Sequence, residues 1–261
     1  MKDRLPELKL LETENAWAHR NRIISFFLRE KFQDRKTPVK VLEAGCGRWW
    51  PLDLGALPVE LTGIDTDKDA LDARVRDIGD LHRVIAADIR DVKFEPEEFD
   101  LIYSCEVLEH VKGAQEVIEK LFGWLKRDGA AVLVFPDRNT VFGLATRLTP
   151  HWLHVAYHRY VLREASAGQP GFGPYPTYYD GVISRRGMHD FCATHHYSIA
   201  LEYGRPPART DWPLWFWAIY QVAAPVISNL SCGVIASSHI GLVYILEKNQ
   251  LPALRADHES T

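Results

Sequence analysis

The sequence predicts an α/β protein, a mostly parallel sheet with helices on both faces. Three observations carry the prediction. Short apolar runs recur through the first half of the chain, and helical stretches separate several of them. Acidic residues close those runs. A glycine turn, Gly45-Cys46-Gly47, follows the first of them.

Taken in order, 1–38 is expected as an N-terminal helical segment, because Leu, Ile, Phe and Trp fall at roughly helical spacing from Glu12 to Phe32. Five strand candidates follow: Val39 to Gly45, Val59 to Asp65, Arg83 to Asp88, Phe99 to Ser104 and Gly129 to Phe135. Helices are expected over Asp67 to Ile78 and Ala114 to Lys126, the second stopped by Asp128-Gly129. Beyond Phe135 the rhythm breaks into an irregular, aromatic, Pro/Gly-rich stretch. A short helix (Ser184 to His195), a strand (Tyr197 to Tyr203) and a last strand (His239 to Lys248) then close a single domain over 1–261. Residues 249–261 read as a polar tail.

The turn narrows the choice of ligand. Read as GxGxxG, its third position is Trp50, where a dinucleotide site needs glycine for close helix–strand packing. No Gly-Lys-Ser/Thr follows, so it is not a phosphate loop either. Pro51, Gly55 and Pro58 leave room for about two turns of helix before the next strand. A ligand without a pyrophosphate is the expectation. Glu43 and Gly45 end the first strand, Asp65 the second, Asp88 the third, and Ser104-Cys105-Glu106 follow the fourth. The polar groups therefore gather at the carboxyl ends of parallel strands, where such sheets bind ligands.

Those residues resemble the class I S-adenosylmethionine-dependent methyltransferases, closely over Val39 to Phe135 and more loosely over Ser184 to Lys248. "VLEAGCG", "GIDTDKDAL", "AADI", "FDLIYSCEVLEHV" and "LKRDGAAVLVF" are similar to that superfamily's successive motifs. The resemblance implies a Rossmann-like seven-stranded sheet of order 3-2-1-4-5-7-6 with strand 7 antiparallel. It implies S-adenosyl-L-methionine as cofactor. Glu43 would lie near its methionine ammonium, and the backbone of Gly45, Cys46 and Gly47 near the methionine and ribose. Asp65 would take the ribose hydroxyls with Thr66 beside the adenine. Asp88 would accept from the adenine amino group while Ile89 packs the ring, and Ser104 and Cys105 would offer backbone contacts. Trp49 departs from the superfamily pattern, which often has glycine there; whether Trp49 and Trp50 wall a ligand or only pack stays open.

"EVLEH" resembles a stretch in two metal-using groups, the ubiquinone-pathway O-methyltransferases and the RNA 3′-end 2′-O-methyltransferases. There Glu106, Glu109 and His110 would hold a divalent ion such as Mg that binds the acceptor hydroxyl. Metal-free members carry the same letters, so both readings stand. His110 is a catalytic candidate, and a downstream histidine completes some of those sites. His151, His154 and His158 are available, and His158 is paired with His110 here.

Two segments interrupt the sheet on the side where the cofactor would bind, 136–182 and 204–238, and are expected as a lid and acceptor pocket. They are aromatic (Phe142, Trp152, Tyr157, Tyr160, Phe172, Tyr175, Tyr178, Tyr179, Trp212, Trp215, Phe216, Trp217, Tyr220), which suits a small hydrophobic, aromatic or lipid-like acceptor. From Trp212 to Leu246 there is no Asp, Glu, Lys or Arg. Residues 212–230 approach the length of a span, but Pro213, Gln221, Pro225 and Asn229 argue for a buried lid helix, a homodimer contact or a peripheral membrane contact instead. Net charge is −4 with no basic stripe, so nucleic acid is not the expected partner. Four scattered cysteines and a charged opening segment suit a reducing cytoplasm. The expected activity is O-methylation of a small acceptor in metabolism. The alternatives are the RNA-end enzyme and a non-catalytic regulatory protein of the same fold.

Overall fold

The computed structural model describes residues 5–169 and 171–248; the tail expected at 249–261 lies outside them. The strands are β1 (Lys9–Leu10), β2 (Val39–Ala44), β3 (Val59–Asp65), β4 (Arg83–Ala86), β5 (Phe99–Cys105), β6 (Leu125–Pro136), β7 (Tyr197–Arg205) and β8 (Gly241–Lys248). They form one sheet of order β4-β3-β2-β5-β6-β8-β7-β1. β8 is antiparallel to both β6 and β7, and the other pairs are parallel. The expected order is therefore present, with one strand more than expected. Lys9 and Leu10 pair with Tyr203 and Gly204 at the sheet edge. Two residues carry no period-2 pattern for a sequence to display.

Alternation along the strands builds two apolar layers. Leu42, Ile102, Leu133, Leu242 and Tyr244 face helices α3 (Ala114–Trp124) and α6 (Arg185–His195). Val41, Leu101, Tyr103, Val132 and Val243 face helix α1 (Ala16–Phe32) through Ile24, Leu28 and Phe32. Each fully buried side chain of that size contributes about 1.5–3 kcal/mol. α6 is further clamped to the sheet by Glu202, whose carboxylate accepts from Arg185, His189 and Tyr244. Despite burial, those donors hold it down at about 2.

Local differences from the expectations have physical reasons. No helix forms between β2 and β3: Leu52 and Leu54 drop into the α1 layer, and Ser25 Oγ accepts from the Asp53 amide. Two prolines deny the segment helical donors. Helix α2 (Lys68–Asp77) is shorter than expected because Asp67 caps it, accepting from Ala70 N–H at 3.0 Å. β6 starts at Leu125, earlier than expected, and takes Asp128-Gly129 into the strand. The stretch after Phe135 is not irregular throughout. It holds α4 (Val141–Leu148), capped by Thr140, and α5 (His151–Ala156), which runs into a π turn at Tyr157–Val161. α7 (Leu214–Leu230) packs against α4 through Tyr220, Ala224 and Val141. Among the described residues no helix is long and apolar enough to cross a membrane.

Candidate active site

The β2 turn is fixed from three sides. The amides of Gly45 and Cys46 both donate to the Ile64 carbonyl, at 2.8 and 3.0 Å. Gly45 has φ +74°, and a Cβ there would lie 2.1 Å from Val107 Cγ2. Gly47 has φ +51° with open space beside it. Its amide donates to Asp65 Oδ2 at 2.8 Å, and Asp65 Oδ1 accepts from the Asp67 amide at 2.8 Å. The Asp65 carboxylate is thus oriented by backbone alone and stands at the open side of the turn. Thr66 beside it is exposed.

Beneath the turn lies a residue the sequence reading missed, the fully buried Arg74. Its Nη1 donates to the Cys46 carbonyl at 2.7 Å and lies 2.8 Å from Glu43 Oε2. Nε and Nη2 each donate to Asp80 at 2.9 Å. Glu43 therefore sits under the turn, facing Arg74 rather than open space. Burial pushes its carboxyl up to about 8, with the guanidinium opposing. The available signal was an acid inside an apolar strand, which needs a buried cation, and an arginine on the Ala70/Leu71 face of α2.

Asp88 is engaged too. Arg90 grips it with Nε at 3.0 Å and Nη2 at 2.7 Å, while Ile89 is buried in the core. Trp50 packs edge-on against Tyr103 at 5.3 Å, and Trp49 is exposed. Ser104 Oγ and Glu109 Oε2 are buried and have no hydrogen-bond partner among the described residues. Burial pushes the Cys105 thiol up to about 11, and its Sγ accepts from Arg20 at 3.4 Å.

The "EVLEH" stretch forms a short 3-10 turn (Leu108–His110) preceded by Glu106 at φ +56°. His110 Nδ1 lies 2.9 Å from the Pro176 carbonyl. A carbonyl only accepts, so Nδ1 carries the proton and Nε2 the lone pair in the neutral ring. Burial lowers the His110 pKa, with the Pro176 carbonyl opposing. Nε2 lies 3.8 Å from Glu109 Oε1. His158 is not brought to it: that ring pairs with Glu164 at 2.8 Å in the π turn. Among the described residues no three His, Cys, Asp or Glu side chains converge as a metal would require. Glu106, Glu109 and His110 are neighbours in sequence but not a ligand set.

The aromatic run 171–179 crosses over this edge. Gly171 approaches Asp67, Tyr175 meets the His110 ring edge-on at 5.7 Å, and the Tyr178 amide donates to the Glu109 carbonyl at 2.8 Å. A cavity of about 210 Å³ opens at the ends of β5, β6 and β8, bordered by Arg20, Glu106, Glu109, Phe135, Phe142 and Arg205. Of the aromatic residues named from the sequence, only Phe142 borders it. Trp212, Phe216, Trp217 and Tyr220 pack on one another instead. A larger groove of about 450 Å³ along α6 contains none of the predicted site residues.

A model of the methyltransferase domain matches residues 42–133. No curated protein sequence matches the chain. Solved structures are similar in fold. The YcgJ protein of Bacillus subtilis is 15% identical, with 87% of this chain and 100% of that one covered and a TM-score of 0.54. Phosphoethanolamine N-methyltransferase 2 of Haemonchus contortus, solved with S-adenosyl-L-methionine, is 15% identical, covering 87% of this chain and 53% of that one, with a TM-score of 0.52. The plantazolicin methyltransferase BpumL, solved with S-adenosylhomocysteine, is 14% identical over 91% of this chain and 86% of that one, with a TM-score of 0.50. At such identities the likeness is one of fold; residues 42–133 match the methyltransferase domain, and the strand order of the sheet agrees with that fold.

Proposed function

We propose that the protein methylates an oxygen of a hydrophobic, lipid-like acceptor, with His110 as general base. The observation that carries this is the tautomer of His110, set by the Pro176 carbonyl, which leaves the lone pair on Nε2, 3.8 Å from a Glu109 that borders the 210 Å³ cavity. The cofactor supplies a methyl group already activated on a sulfonium, so the protein has to position the two partners and remove one proton. Asp65 fits the ribose hydroxyls, since each oxygen uses one backbone donor and keeps accepting capacity. Gly47, with open space where a side chain would stand, admits the cofactor against its backbone. The unpartnered Ser104 hydroxyl and the Cys105 backbone suit the methionine part. Glu43 acts through Arg74, which holds the Cys46 carbonyl. Asp88 and Ile89 border the adenine once Arg90 shares or releases its grip. Segment 136–182 serves as the lid, and 204–238 shapes the acceptor side. The donor geometry at 106–110 does not fit a metal ion.

His110→Gln is expected to lower kcat by about 10²–10³-fold while S-adenosylhomocysteine still binds. The assay is transfer of labelled methyl into a cell lipid extract, which chelator should leave unchanged. Full activity in the variant would contradict the assignment of the base.

The acceptor's source is read from the outer surface. In α7, Tyr220 and Ala224 are buried while Ile219, Val222, Val226 and Leu230 are exposed on the opposite face. Leu148, Trp152 and Tyr160 are exposed as well. Residues 139–163 and 212–246 contain no Asp or Glu but include Arg147, Arg159 and Arg163, in a chain of net charge −4. Apolar area bordered by arginines matches an anionic bilayer surface. The protein should co-sediment with phosphatidylglycerol-containing vesicles and not with pure phosphatidylcholine. Changing Ile219, Val222 and Val226 to Gln should abolish this. Equal sedimentation with and without vesicles, with a dimer seen by light scattering, would assign the face to a second copy instead.

A further inference from the structure

Arg20 projects from α1 to the border of the 210 Å³ cavity and is only 3% exposed. A buried guanidinium is expensive unless an anion accompanies it. The groups that accept its hydrogen bonds are neutral. Nε and Nη2 donate to Asn21 Oδ1 at 3.0 and 2.9 Å, and Nη1 donates to Cys105 Sγ at 3.4 Å. The cation also lies 4.0 Å from the centre of the Trp17 ring. Three of five N–H donors are thus used, leaving one on each terminal nitrogen. Arg205, across the same cavity, is neutralised by Asp211 at 3.1 Å. Among the described residues no carboxylate makes a close ion pair with Arg20; Glu106, which borders the same cavity, feels its charge only at longer range, against its own burial.

We propose that this cavity binds an acceptor carrying an anionic group, a carboxylate or phosphate monoester, and that Arg20 receives it. The inference rests on reading the cavity as the acceptor site. Two free N–H donors on one guanidinium match the paired oxygens of either group. Phe135, Phe142 and Leu242 line the cavity with apolar surface for the body of the molecule. The unpartnered Oε2 of Glu109 offers an acceptor for the hydroxyl to be methylated. Arg20 is therefore a specificity residue that selects acidic acceptors over their neutral counterparts.

The test is calorimetric titration of the full-length protein, saturated with S-adenosylhomocysteine, with benzoate, phenyl phosphate and neutral benzamide. Benzoate or phenyl phosphate should bind at least tenfold more tightly than benzamide, and the tighter of the two names the anion class. Arg20→Gln should remove that preference at unchanged S-adenosylhomocysteine affinity. The wild-type comparison stands even if the variant does not fold. Benzamide binding as tightly as both anions, or no saturable anion binding at all, would overturn the proposal. Failure of S-adenosylhomocysteine to bind in the first titration counts against the methyltransferase reading alone.

Discussion

Arg74→Leu is expected to cost about 3–5 kcal/mol of folding free energy, because it removes the cation from a buried ion pair and leaves the carboxylates behind. Glu43 is 3% exposed and Asp80 more open, so the penalty falls mainly on Glu43. Burial already pushes the Glu43 carboxyl up to about 8. Without the guanidinium nothing opposes that rise, and Glu43 is driven to its protonated form. A raised folded-state pKa gives stability that is full below the unfolded value and lost as pH rises through the folded one. Wild type and variant share that loss up to about pH 8, so the variant's deficit should grow above it, where wild-type Glu43 ionises beside Arg74 and the variant's does not. Adding Glu43→Gln should recover part of the loss, since a neutral amide folds without having to take up a proton. Urea unfolding at two pH values measures both effects; a cost under about 1 kcal/mol would mean the pair is not a structural unit. Cofactor affinity should fall as well, because Arg74 Nη1 holds the Cys46 carbonyl of the turn.

Gly45→Ala is expected to be nearly as damaging, by about 2–5 kcal/mol. A side chain at φ +74° costs about 1–2 kcal/mol, and overpacking adds about 1–3. The overlap is with Val107, a stiff β-branched residue whose predecessor Glu106 already stands at φ +56°. Relief must come from moving the "EVLEH" turn, so the acceptor side is disturbed through the cofactor side. Gly47→Ala separates the two roles. Nothing lies within 4 Å of its added Cβ, so the stability loss should stay near 1 kcal/mol. That methyl nevertheless enters the open space assigned to the cofactor, and binding should suffer. Thermal unfolding with calorimetry on both variants distinguishes structural from ligand-facing glycine.

Much of this arrangement was legible because it is local. Short apolar runs marked the strands, acids at their carboxyl ends marked Asp65 and Asp88, and the missing third glycine pointed away from a dinucleotide. What was not legible depends on partners distant in sequence. Arg74 pairs with Glu43 31 positions earlier, and Arg20 meets Cys105 across 85 positions. Nothing in "RNRII" announces a buried cation. Arg90 turning back on Asp88 and His158 choosing Glu164 are rotamer choices that a list of residues leaves free. In the aromatic segments Trp212, Phe216 and Tyr220 pack on one another, a mutual packing that a list of residues does not reveal.

The central claim is a cofactor seated over the ends of β2 and β3, held by Asp65. Calorimetric titration with S-adenosyl-L-methionine tests it directly, on the wild type and on Asp65→Ala. One site per chain is predicted for the wild type, with binding weakened by about 1–3 kcal/mol in the variant through loss of a charge-assisted hydrogen bond. No binding to the wild type, or equal affinity in both proteins, would contradict it.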